Sequence, residues 1–189
     1  DACYSGTQKC LSCPHGLAPL TVGPRAVEKL ASRNSKVVSW YLDLTMIQQY
    51  WTERRRTYHH TAPVSMNYAL HEALAVVLEE GLEQRYERHR LHSRALMAGL
   101  RELGFEPAAQ EGHRLPVLNA VRVQSEIDEA QVRRQLLDHY NIEIGGGLGE
   151  LAGKIWRIGL MGESAIRDHV HTLLEALGEL LCSGPDSAT

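Results

Sequence analysis

Tyr4-Ser5-Gly6-Thr7-Gln8-Lys9 puts a lysine shortly after small and hydroxyl residues, and Pro14-His15-Gly16 follows soon after. Such a segment suits close approach to a phosphate. Glycine lets the main chain come near, and hydroxyl and amide groups donate to phosphate oxygens. A lysine here can also attack an aldehyde, provided its surroundings favour the amine over the ammonium, whose ordinary pKa is about 10.4. On chemistry alone, a lysine in a Ser/Gly loop is more commonly a solvated surface residue. What else lies along the chain decides between the two readings.

The chain around it has the composition of an ordinary globular protein: 189 residues, 43% hydrophobic, 23% charged, formal net charge −3. Acidic and basic residues are interspersed. No basic stripe marks a nucleic-acid partner, and no apolar run reaches membrane-spanning length. The chain has neither a signal-peptide pattern nor an initiating Met, and it opens straight into functional sequence, which suggests a fragment. Cys3, Cys10, Cys13 and Cys182 are not spaced like a secreted disulfide scaffold, and Ser187-Ala188-Thr189 is no peroxisomal address, so a reducing, cytoplasmic location is expected. Cys10 and Cys13 lack the second CxxC of a structural zinc site and read as incidental thiols.

Working outward, residues 1–24 read as short elements broken by glycine and proline. Val37–Leu44 is either a strand or the start of a helix, and Asp43 to Trp51 leans helical. Glu53–Thr57 is a charged loop carrying Arg54-Arg55-Arg56. Leu70, Leu74, Val77, Leu78 and Leu82 then recur at helical spacing, and one long helix is expected to run past Gly81 to Gly104. Pro116–Gln124 reads as a strand, and Glu126–Tyr140 as a helix capped by Ser125. Ile142–Ile144 is a short extended piece, Lys154–Leu160 a strand and Ser164–Leu181 a closing helix. Strand, helix, strand, helix after Gly104 describes a compact α+β unit.

Three further stretches carry chemistry. Tyr58-His59-His60-Thr61-Ala62-Pro63 offers a phenol and a hydroxyl, both suitable phosphate donors; alternatively it caps the following helix, with Thr61 as N-cap. A metal reading of His59 and His60 is weaker, because adjacent side chains are expected to diverge. Lys154-Ile155-Trp156-Arg157-Ile158-Gly159-Leu160-Met161-Gly162 sets a guanidinium among apolar neighbours, where it needs an anionic partner: either a structural ion pair or a ligand carboxylate. Ile144-Gly145-Gly146-Gly147-Leu148-Gly149 fails as a Walker loop and, being followed by a strand, as a dinucleotide fingerprint. It reads as a flexible loop near a substrate mouth.

Taken together in this order, these four motifs resemble the alanine–glyoxylate and serine–pyruvate aminotransferases, class V of the fold-type I enzymes that use pyridoxal 5'-phosphate (PLP). The resemblance runs from Lys9 to the last helix and is to the C-terminal half only. It implies an α/β fold: residues 1–62 as the end of the PLP-binding large domain, 63–104 as a connecting helix or helices, and 105–189 as the small C-terminal α+β domain. It makes Lys9 the Schiff-base lysine and proton shuttle, and Gln8 its cofactor-contacting neighbour. Tyr58 and Thr61 become phosphate ligands of the partner subunit's cofactor in a homodimer, and Arg157 the substrate-carboxylate ligand. The implied reaction is ping-pong transamination from alanine or serine to glyoxylate or pyruvate. Alternatives are another class V activity, such as ureidoglycine–glyoxylate transamination, or a non-catalytic dimerisation or binding module. The family's pyridine-pairing acid, ring-stacking aromatic and most of its phosphate cup precede the lysine, so these 189 residues alone are expected to be inactive.

Overall fold

The computed structural model describes residues 1–52 and 57–182. The three consecutive arginines lie outside the described residues, as do the side chains of Trp51 and Thr52. The chain divides into two compact units, Asp1–Lys9 with Cys13–Leu74, and Cys10–Ser12 with Ala75–Thr189.

In the first unit β1 (Ala2–Tyr4) pairs antiparallel with β2 (Leu20–Val22), Tyr4 opposite Leu20. Helix α1 (Pro24–Ala31), which the sequence reading did not anticipate, starts on Pro24, where the missing N–H is no loss. A 3-10 turn at Trp40–Leu42 leads into α2 (Leu44–Thr52). Asp43 caps α2: its Oδ1 accepts from the backbone N–H groups of Thr45 and Met46.

The expected single helix is two. α3 (Val64–Glu80) and α4 (Leu82–Glu102) are separated by Gly81, whose φ of +83° lies where L side chains rarely go. The boundary between the units falls inside α3, after Leu74.

The second unit holds a four-stranded antiparallel sheet of order β3-β4-β6-β5: β3 (Glu106–Pro107), β4 (Leu118–Arg122), β5 (Gly145–Gly146) and β6 (Ile155–Gly159). Leu96 and Leu100 of α4, Leu136 of α5 (Glu129–Tyr140), and Leu173 and Leu177 of α6 (Arg167–Cys182) cluster with Val121, Trp156 and Ile158 of the sheet. Phe105 joins them, its ring centroid 5.0 Å from that of Trp156. Strand alternation therefore sends Trp156 and Ile158 into the core and Arg157 to the other face.

Two boundaries move. α5 starts at Glu129 rather than Glu126, because Asp128 and not Ser125 is its cap, with Oδ1 accepting from the N–H groups of Ala130 and Gln131. The glycine run is not a loose loop: Gly145 and Gly146 form β5, opposite Arg157 and Trp156. A Cβ at Gly147 would stand 1.8 Å from the carbonyl oxygen of Leu151, so the chain folds back on itself there only because the residue is glycine. Among the described residues no helix is long and apolar enough to cross a membrane.

Candidate active site

Lys9 sits in the loop joining β1 and β2, and Thr7 organises that loop. The Thr7 side chain is fully buried, and its hydroxyl donates to the carbonyl oxygens of Pro14 (2.8 Å) and Leu17 (3.2 Å). The Cys13 N–H donates to the Thr7 carbonyl at 3.1 Å, and the Lys9 N–H to that of Gly6 at 3.2 Å. The Thr7 hydroxyl is thus engaged by the loop's own carbonyls. The side chains of Gln8 and Lys9 are left exposed, and Lys9 Nζ has no ion-pair or hydrogen-bond partner among the described residues. A Cβ at Gly6 would stand 2.8 Å from Gln8 Oε1, so the glycine makes room for the Gln8 carboxamide.

Tyr58 and Thr61 meet: their hydroxyl oxygens are 2.5 Å apart, and both residues are exposed. Thr61 is thus not the cap of α3, which begins three residues later with the Asn67 N–H donating to the Pro63 carbonyl. Nor do the two histidines diverge. Nδ1 of His59 and Nδ1 of His60 are 2.7 Å apart. His59 is buried, its Nε2 is 3.1 Å from the Trp40 carbonyl oxygen, and its ring stacks on Trp40 with centroids 4.2 Å apart. With Nε2 donating to that carbonyl, Nδ1 of His59 accepts from His60. This histidine pair, its His59 buried, therefore anchors the strip that carries Tyr58 and Thr61. Among the described residues no three His, Cys, Asp or Glu side chains gather as a metal site.

Arg157, half-buried on β6, donates through Nε to the Gly146 carbonyl oxygen at 2.7 Å. A Cβ at Gly145, its cross-strand partner, would stand 3.3 Å from Arg157 Nη2. Among the described residues no carboxylate pairs with Arg157, so the structural ion pair considered from sequence is absent and the outer guanidinium nitrogens are uncommitted. A neighbouring arginine differs: Arg133 grips Glu129 through two bonds, which holds the Glu129 carboxyl below its ordinary range.

A second set of charges was not singled out from sequence. Glu80 accepts from Arg85 Nη1 (2.5 Å) and from Nε and Nη2 of Arg88, which draws its pKa from the ordinary 4.5 to about 2, the hydrogen bond from Arg88 first among the causes. Arg88 Nη1 also donates to the carbonyls of Gly162 and Ala165. Next to it, burial and the Arg88 charge push the His92 pKa down. The only hint in the sequence is the density of charge along 79–94, which reads equally well as a solvated helix face.

Compared with known proteins, the chain is 41% identical to the (S)-ureidoglycine–glyoxylate transaminase of Bacillus subtilis, over 96% of its own length and 48% of that protein. It is 39% identical to the alanine–glyoxylate aminotransferase of Felis catus, over 96% of its length and 44% of the relative. Among solved structures, the alanine–glyoxylate aminotransferase from Nostoc sp. superposes with a TM-score of 0.92 at 44% identity, covering 96% of this chain and 48% of that one. This chain belongs to the class V, fold-type I PLP-dependent aminotransferases. It spans about half the length of the curated relatives it matches. The Bacillus subtilis ureidoglycine–glyoxylate aminotransferase structure, at 43% identity and TM-score 0.92, covers all of this chain and 49% of its own. No family model matches the chain.

The side chains present suit the family's cofactor in kind. An unpaired amine (Lys9) suits an aldehyde, two convergent exposed hydroxyls (Tyr58, Thr61) suit a phosphate, and a guanidinium without a carboxylate partner (Arg157) suits the carboxylate of an amino acid.

Proposed function

We propose that this chain supplies the lysine-bearing portion of a transaminase that uses glyoxylate as amino acceptor, with alanine or serine as donor. Glyoxylate figures in the names of both curated relatives described above. The observation that carries the reading is Lys9: a free amine presented by a loop whose backbone is tied down through Thr7.

In this reading Lys9 Nζ would hold the cofactor through its aldehyde carbon, with loss of water, and Tyr58 and Thr61 would donate to its phosphate, serving the site of a second subunit in a homodimer. Gln8 contacts the cofactor beside Lys9. PLP, when bound, supplies an electron-withdrawing ring that stabilises charge developing on the substrate's α-carbon. Lys9 Nζ, freed when the incoming amino acid takes its place, would carry the α-proton between substrate and cofactor, acting as base and then acid. Arg157 presents Nη1 and Nη2 to the α-carboxylate. Its Nε is already held by Gly146, so the plane of the fork is set before the substrate arrives.

The 41% identity to a ureidoglycine–glyoxylate transaminase favours a second reading, with ureidoglycine as the donor at the same site. A non-catalytic module is disfavoured by the cost of keeping a half-buried guanidinium with no carboxylate to meet it. We further infer that the 189 residues by themselves bind PLP weakly and do not turn over.

The test is a donor panel on the purified full-length protein with PLP: alanine, serine and ureidoglycine, each with glyoxylate, following glycine formation. Glycine from at least one donor supports the reading and names the substrate. No glycine from any donor, with PLP covalently bound, rejects glyoxylate as the acceptor.

A further inference from the structure

One peptide bond beyond Lys9 the chain enters a cradle built by other parts of the second unit. Arg85, on α4, has a side chain only 5% exposed. Its Nη2 donates to the carbonyl oxygen of Cys10 at 2.9 Å, while Nη1 is shared between Glu80 and Glu163, the latter at 2.8 Å. Ser12, in the left-handed region at φ +55°, accepts on Oγ from the Glu163 N–H at 2.8 Å. A non-glycine residue held there has to be stabilised by its surroundings.

Gly162 shows how tight the fit is. It is buried, at φ +59°, and a Cβ on it would stand 1.9 Å from Ser12 Oγ, 2.8 Å from the Cys10 carbonyl oxygen and 3.2 Å from Arg85 Nη2. Its own N–H donates to His89 Nε2 at 2.9 Å, and His89 Nδ1 donates to the Arg85 carbonyl at 2.7 Å. The two carboxylates thus hold the guanidinium, His89 ties the Arg85 backbone to Gly162, and the guanidinium holds Cys10. On either side of residues 10–12 the fixed points are the Lys9 N–H on Gly6 and the Cys13 N–H on Thr7.

We propose that Arg85, aided by Ser12, is a positioning residue for the Lys9 amine: Arg85 fixes the Cys10 carbonyl, Ser12 Oγ ties to the Glu163 N–H, and together these set the direction in which the Lys9 side chain leaves the backbone. This rests on the reading of Lys9 as the cofactor lysine. A buried guanidinium donating to a carbonyl is worth more than a neutral hydrogen bond, because its loss leaves a desolvated acceptor. Glu80 retains its bonds to Arg88 when Arg85 is replaced, so the rest of the cluster keeps a partner.

The test uses the full-length protein with Arg85→Met, Arg85→Lys and the milder Ser12→Ala. Amide hydrogen exchange is read at Glu163, Lys9 and Cys13, without cofactor. PLP bound at Lys9 is measured separately, by borohydride reduction and peptide mass spectrometry. Arg85→Met and Ser12→Ala should each speed exchange at Lys9 and Cys13 by about tenfold, the scale set by one hydrogen bond, and slow capture of PLP by Lys9, with Arg85→Lys recovering most of both. Exchange that rises at Glu163 but stays at the wild-type rate at Lys9 and Cys13 in both Arg85→Met and Ser12→Ala overturns the proposal. If Arg85→Met does not fold, Ser12→Ala alone decides by the same criterion. Failure of the wild-type protein to take PLP on Lys9 rejects the cofactor reading instead, and leaves the exchange result to judge the cradle.

Discussion

Arg157 Nε donates to the carbonyl oxygen of Gly146 at 2.7 Å, and no carboxylate among the described residues takes the other end of the fork. One bond orients the guanidinium and leaves two nitrogens for a ligand. Replacing Arg157 with Gln should lower kcat/KM for the amino donor by about 100-fold or more, the value of losing a two-point charged contact. Arg157→Lys should recover little, since an ammonium cannot reproduce the fork. Steady-state kinetics checks both, and a matched thermal melt should show little change in stability.

The same strand pairing constrains Gly147. A methyl group there meets the Leu151 backbone carbonyl at 1.8 Å, which no side-chain rotation relieves. Gly147→Ala should destabilise the protein by on the order of 2 kcal/mol, the usual scale of overpacking. Urea unfolding would show it as a lower midpoint.

Acid should find Glu80. Its folded pKa of about 2 lies below its ordinary 4.5, so the stability it contributes is present above about pH 4.5 and is lost as pH falls toward 2. With the side chain 21% exposed, the contribution is about 2 kcal/mol after allowing for screening. Glu80→Gln should lower stability at pH 7 and flatten its fall between pH 5 and pH 3. Chemical unfolding at a series of pH values measures both.

Tyr58→Phe removes one of two convergent hydroxyls, and the exposed bond to Thr61 that it also removes is worth little to the fold. PLP affinity should drop about tenfold, one hydrogen bond to a charged acceptor, with an unchanged melting temperature in the absence of cofactor. Fluorescence titration with PLP provides the reading.

The fold class was legible because four motifs in order carry it, and because apolar periodicity marks α3, α4 and α6, and capping residues mark α5, independently of them. The misses have local physical causes. Gly81 weakened the helical pattern without revealing that its φ is positive, so a break read as a soft spot. Ser125 and Asp128 are both good caps, and only the backbone tells which carbonyl begins the helix. The glycine run carries no side chains to alternate, so β5 left no strand signature. Arg85, His59 and Thr7 were invisible as organisers because each bonds a main-chain carbonyl distant in sequence, and Arg85 and His59 add a carboxylate 78 residues away or a neighbour expected to turn away. Residue type and spacing do not encode such bonds.

The central claim concerns a single amine. Full-length protein incubated with PLP, reduced with borohydride and digested should carry the added cofactor mass on the peptide containing Lys9, and Lys9→Ala should abolish both that mass and glycine production from glyoxylate. Cofactor mass on another lysine, or transamination that survives Lys9→Ala, would contradict the account.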